Sequence, residues 1–218
     1  MSRNTHEIYK PQVPSGVYQK HAFDSLRIES ITEQLRQICY SGYINILEIG
    51  VGAGFLRHCF KLFPQISHTT LDIDESLSPD YVGSVTNLPF EDAQFDVVVC
   101  CEVLEHLPFT DFLPALKQIR RVARHKVILS LPDRRRHFGV AVRLARFGWF
   151  MLEWNPARRE WARRKLEFDG EHYWEIGCKG TMHKDVVRSI KEAGFKIEKQ
   201  YRLWKHPWHC FFILRVCK

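Results

Sequence analysis

Glu102, Glu105 and His106 fall within five consecutive residues, directly after the apolar run Val97–Cys101. If that stretch is helical, the i, i+3, i+4 spacing sets all three on one face. Two carboxylates and an imidazole brought together in this way can hold a divalent cation, or act as general acid and base. His172 is a further candidate base or third metal ligand, in the run Asp169-Gly170-Glu171-His172-Tyr173-Trp174-Glu175. A turn followed by dense polar and aromatic residues suits the wall of an acceptor pocket. His206, Trp208 and His209 pose the same question near the C-terminus.

A second constellation lies upstream. Ile44, Ile46, Leu47 and Ile49 read as a buried strand with Glu48 its one charge, and Gly50, Gly52 and Gly54 follow at once. Leu56, Phe60 and Phe63 then keep helical spacing until Pro64 stops it. Strand, glycine turn and helix bring backbone close to a ligand at a helix N-terminus. A dinucleotide fingerprint would need its third glycine at position 55, which is Phe. The pattern is instead E-x-G-x-G-x-G. Thr69–Leu71 reads as a second strand, ending in Asp72-Ile73-Asp74. Asp72 lies roughly 20 residues past the glycines, where such folds place an acid for ribose hydroxyls.

These residues need a scaffold, and the chain alternates strand and helix signals. Asp24 caps a predicted helix with Ile28, Ile31, Leu35 and Ile38 on its apolar face. Tyr81-Val82-Gly83 is a short third strand, and Ala93–Cys101 contains a fourth, apolar after Asp96. Phe112, Leu116 and Ile119 mark a helix, Lys126–Leu131 a fifth strand, and Val186, Ile190 and Ala193 a last helix ended by Gly194. Lys196–Trp204 and His209–Val216 form a final hairpin. The alternation predicts a parallel sheet covered on both faces, with ligands at the carboxyl ends of its strands.

The glycine motif, Asp72, the Leu88-Pro89-Phe90 turn and the run Phe95-Asp96-Val97-Val98 to Leu104-Glu105-His106 together resemble the class I S-adenosylmethionine (SAM)-dependent methyltransferases, over about Ile44 to Pro132. The resemblance implies an α/β, Rossmann-like fold: a mainly parallel seven-stranded sheet with helices on both faces and an antiparallel last strand. It implies S-adenosyl-L-methionine as cofactor, held by Glu48, Gly50, Gly52, Gly54, Asp72 and Ser84. Ser84 stands where the family often has an Asp toward the adenine amine. Glu102, His106 and His172 are the expected catalytic residues. The Glu102-x-x-Glu105-His106 pattern is also similar to that of metal-using ubiquinone-pathway and small-RNA 2′-O-methyltransferases. The metal-free reading, common in the superfamily, is taken here.

The 218 residues fit one domain spanning 1–218, with an N-terminal arm over 1–22 and an insertion over 133–180. The start of the chain has no apolar leader, and the seven cysteines lack metal or disulfide spacing, which together predict a cytoplasmic protein. Arg134 to Lys165 holds ten Lys or Arg against two acids, a balance of +8 that exceeds the whole chain's +7. Aromatics are mixed with these cations. Three readings fit: a substrate lid, a surface for an anionic membrane, or a grip on nucleic acid. The first two are preferred, with peripheral membrane contact. The expected activity is O-methylation of a small-molecule, glycan or lipid-linked acceptor. The alternatives are an RNA methyltransferase and a non-catalytic SAM-fold binding module.

Overall fold

A computed structural model describes residues 11, 14–20, 24–39, 42, 44–136, 138–144, 148–154, 166, 168 and 170–216. Much of the expected N-terminal arm, and Arg146, Arg158, Arg159, Arg163, Arg164 and Lys165 of the basic segment, lie outside these residues.

The chain runs α1 (Ser15–Lys20), α2 (Ser25–Cys39), β1 (Asn45–Ile49), α3 (Phe55–Phe60), β2 (Ser67–Asp72), β3 (Tyr81–Val82), β4 (Phe95–Cys101), α4 (Phe109–Val122), β5 (Ala123–Pro132), β6 (Phe138–Leu144), β7 (Gly148–Trp154), α5 (His183–Glu192), β8 (Phe195–Leu203) and β9 (His206–Val216). Seven strands make one sheet in the order β3-β2-β1-β4-β5-β9-β8. β1 to β5 pair in parallel, while β9 runs antiparallel to both β5 and β8. This is the expected Rossmann-like sheet. The strand order reverses between β1 and β4, and such a switch point opens a crevice at the carboxyl ends of the strands.

Period-two alternation divides the sheet's side chains between two cores. Leu47, Ile49, Val98, Cys100, Val127 and Leu129 meet Phe112, Leu116 and Ile119 of α4 and Val186 and Ile190 of α5. Ile46, Val97, Val99 and Ile128 meet Ile38 of α2 and Leu56 and Phe60 of α3 on the other face. Each fully buried Leu, Ile or Phe contributes about 1.5–3 kcal/mol, so the strands flanking the crevice are its most firmly held parts. Asp24 caps α2 as expected, its carboxylate accepting the Leu26 amide at 2.8 Å.

Within 133–180, a region the sequence leaves without regular elements, β6 and β7 form a separate two-stranded antiparallel sheet. Phe138, Val140 and Val142 recur at every second position of β6, and Leu152 of β7 pairs with Val140; all four are exposed. Gly139 rests against Trp204 at the β8–β9 turn, where a Cβ would come within 2.3 Å of the indole ring. Among the described residues, no helix is long and apolar enough to cross a membrane.

Candidate active site

The turn after β1 is built by backbone that only glycine adopts without strain. Gly50, Gly52 and Gly54 have φ of 86°, 52° and 74°. At Gly50 space also excludes a side chain, because a Cβ there would lie 2.4 Å from Val103 Cγ2. The Val51 amide donates to Asp72 Oδ2 at 2.7 Å, and the Asp74 amide to Oδ1 at 2.9 Å. Asp72 thereby ties the end of β2 to the glycine turn. Burial pushes its pKa up, and the two amides only partly offset that. Glu48 is buried in β1 with Oε2 3.0 Å from Nε2 of His68 on β2, close but poorly aligned for a hydrogen bond. Burial raises the Glu48 pKa as well, with His68 pulling it back. After β3, Ser84 Oγ lies 2.9 Å from Thr86 Oγ1.

These groups surround one end of a cavity of about 380 Å³, a volume suited to a cofactor-sized ligand. Glu48, Gly50, Gly52, Asp72 and Ser84 all line it. Gly54 does not. It stands at the N-terminus of α3 in a left-handed conformation, its carbonyl 2.7 Å from His58 Nδ1, so its part is to turn the chain into the helix.

Glu102, Glu105, His106 and His172 line the other end. The single helical face expected for the first three does not form. Glu102 has φ of 58°, in the left-handed region, and only Leu104–His106 makes a short 3₁₀ turn. The left-handed residue rotates Glu102 away from its neighbours and splits the trio into two groups.

In one group Glu102, His206 and His209 bring potential ligand atoms within 4.8 Å of one another; in the other Glu105, His106 and His172 do so. Ser30 Oγ of α2 donates to Glu102 Oε1 at 3.2 Å. Burial works against the Glu102 charge, but His209, Arg27 and His206 outweigh it and leave the pKa below the usual carboxylate value. Glu105 is fully buried, neither of its carboxyl oxygens has a hydrogen-bond partner, and burial pushes its pKa up to about 8. At neutral pH it is mainly the protonated acid. Burial lowers the His106 pKa, and its Nδ1 lies 2.8 Å from the Glu171 carbonyl oxygen. His172 donates from Nδ1 to Glu175 Oε1 at 2.9 Å, and Arg134 holds that same carboxylate. Trp174, two residues on, is buried in the core with its indole N–H on the Leu107 carbonyl at 3.0 Å. The polar-aromatic run is thus pinned by Trp174 and Glu175, which presents His172 at the cavity.

Arg27, Ser30, Gln34 and Asp74 also line the cavity, and none was singled out from the sequence. Glu171 and His172 reach the cavity, whereas among the described residues those of β6 and β7 do not.

A crevice at the switch point, closed by a glycine turn and an acid-ended second strand, defines a Rossmann-like cofactor domain. Residues 47–131 match the methyltransferase domain family. An uncharacterised protein of Methanocaldococcus jannaschii is 32% identical over 110 residues, a stretch covering 47% of this chain and 46% of that protein. A SAM-dependent methyltransferase of Clostridium acetobutylicum superposes with a TM-score of 0.60 at 11% identity, over 94% of this chain and 98% of its own. A glycopeptide N-methyltransferase complexed with S-adenosyl-L-homocysteine superposes with a TM-score of 0.54 at 16% identity, over 84% of this chain and 89% of its own. At such identities the superpositions speak for the fold, and the matched family for the residues around the glycine turn. The fold is one shared with SAM-dependent methyltransferases, and the methyltransferase-domain match extends over residues 47–131.

Proposed function

We propose that this protein transfers the methyl group of SAM to an oxygen of a small-molecule, glycan or lipid-linked acceptor. The observation that carries the reading is one cavity with cofactor-type groups at one end and proton-handling groups at the other. At the first end, the Asp72 carboxylate suits a ribose diol, Glu48 an ammonium group, and the glycine backbone the body of the cofactor. Ser84 would meet the adenine edge.

In the transfer, the acceptor oxygen attacks the methyl carbon while the carbon–sulfur bond breaks. The sulfur keeps the electron pair, S-adenosyl-L-homocysteine leaves neutral, and the acceptor's proton goes to a nearby base. Glu102, ionised, and His172, oriented by Glu175, are the groups for that proton; His106 positions the loop through Glu171. The donor is already activated, so holding the two reactants in line supplies most of the rate.

The exposed Phe138, Val140, Val142 and Leu152, beside a strongly basic stretch of sequence, favour an acceptor met at an anionic lipid surface. An RNA acceptor is the alternative for that basic stretch. Transfer of labelled methyl from SAM to panels of hydroxylated and amine acceptors tests the reading. Hydroxyl acceptors should be labelled, and His172→Gln should lower kcat by about 10²-fold or more. Labelling of amines alone would overturn the oxygen assignment.

A further inference from the structure

We propose that Glu102, His206 and His209 form a binding site for a divalent transition-metal ion. The three come from distant parts of the chain: Glu102 follows β4, and the two histidines open β9 beyond the β8–β9 turn. Their potential ligand atoms nevertheless fall within 4.8 Å of one another. His209 Nδ1 and His206 Nε2 face each other at 2.7 Å. Two donors bound at about 2.1 Å to one tetrahedral ion lie about 3.4 Å apart, so binding would replace the hydrogen bond between the two rings and part them by roughly 0.7 Å. Two imidazoles and a carboxylate suit zinc, cobalt or iron(II) rather than magnesium or calcium, which prefer oxygen.

Two further observations set this group apart from a fortuitous cluster. Glu102 is held in the left-handed region at φ 58°, a conformation that turns its carboxylate toward the histidines, and the Ser30 hydroxyl bonds one of its oxygens at 3.2 Å. A hydrogen-bonded support behind a ligand is what metal sites need for orientation. His206 is only 5% exposed, and the ring nitrogen it turns to His209 is Nε2, so its imidazole is held in the site rather than free in solvent.

The neighbouring group of Glu105, His106 and His172 is arranged differently. Both Nδ1 atoms turn to the 171–175 loop, and the rings meet edge to face at a centroid distance of 5.1 Å. It serves as the internal control. Glu102 and His209 also line the cavity, so an ion there would sit at its acceptor end and polarise an acceptor oxygen, occupying the Glu102 carboxylate and leaving the acceptor's proton to His172. That consequence rests on the proposed function; metal binding itself does not.

The test is titration of the chelator-treated full chain with Co²⁺, followed by visible absorption, and with Zn²⁺, followed by calorimetry. One equivalent should bind with a micromolar or tighter Kd. His206→Gln and His209→Gln should each weaken it at least tenfold, and Glu105→Gln should leave it within about threefold. S-adenosyl-L-homocysteine affinity, measured on the same samples, reports whether each variant is folded and keeps the cofactor reading separate. If a histidine variant does not fold, anomalous diffraction from Co²⁺-soaked wild-type crystals should place the ion between these three side chains. Absence of saturable binding, binding indifferent to both histidine substitutions, or an ion seated instead on Glu105, His106 and His172 would each overturn the proposal.

Discussion

Asp72 accepts the Val51 amide at 2.7 Å, so the acid that ends β2 also holds the glycine turn that follows β1. The same carboxylate shapes the loop and lines the cavity, and under the proposed function it also faces the cofactor. Asp72→Ala removes both, and S-adenosyl-L-homocysteine affinity should fall by ~1–3 kcal/mol. Asp72→Asn keeps an acceptor oxygen for Val51 and should retain more of the affinity. Calorimetry on the two variants side by side checks this; equal losses would mean that loop support contributes little.

Gly50 is constrained twice, by a φ of 86° and by Val103 Cγ2. Gly50→Ala should destabilise the fold by ~1–3 kcal/mol in urea denaturation. Adding Val103→Ala should relieve the steric part and leave the backbone part. A double variant no more stable than the single one would show that the conformation alone carries the cost.

Glu105 gives the fold a pH dependence with a definite sign. An unfolded glutamate ionises near about 4.3, whereas the folded group holds its proton to about 8. Between those values the folded state binds the proton that the unfolded chain has released, so this group's contribution to stability falls as pH rises. Glu105→Gln has no such proton to lose. Its Tm relative to wild type should climb from pH 5 to pH 8 and level off above. A constant difference across that range would mean Glu105 is not the buried acid described here.

The exposed apolar residues of β6 and β7 predict a surface contact separable from cofactor binding. Val140→Ser with Leu152→Ser should reduce co-sedimentation with phosphatidylserine vesicles. Neutralising Arg158, Arg159, Arg163 and Arg164 should reduce it further, by about 1 kcal/mol per charge at low salt. Cofactor affinity should stay within a few-fold in both. Unchanged sedimentation together with lost cofactor binding would convert this region into a support for the cofactor site.

Much of the cofactor end was legible because its geometry is local. Gly50 and Gly52 follow a strand directly, and Asp72 ends the next one, so order and spacing alone bring them together. The acceptor end was harder because its contacts are long-range. Nothing near Ser30 in the chain announces that it bonds Glu102, 72 residues away. A signal was present in α2, where the polar Ser30 and Gln34 stand one turn apart beside the apolar stripe, and both line the cavity. The left-handed turn at Glu102 carries no sequence mark, since Glu has no preference for it. The β6–β7 hairpin was hidden by the continuous apolar run Trp149–Leu152, which has no strand alternation, although Phe138, Val140 and Val142 do alternate with smaller or polar residues.

The central claim is that the cavity at the β1–β4 switch point is a SAM site. Titration of the wild-type protein with S-adenosyl-L-homocysteine, against NAD under the same conditions, tests it most directly. One equivalent of S-adenosyl-L-homocysteine should bind saturably and NAD should give no saturable heat. Tight NAD binding with no response to S-adenosyl-L-homocysteine would contradict the account.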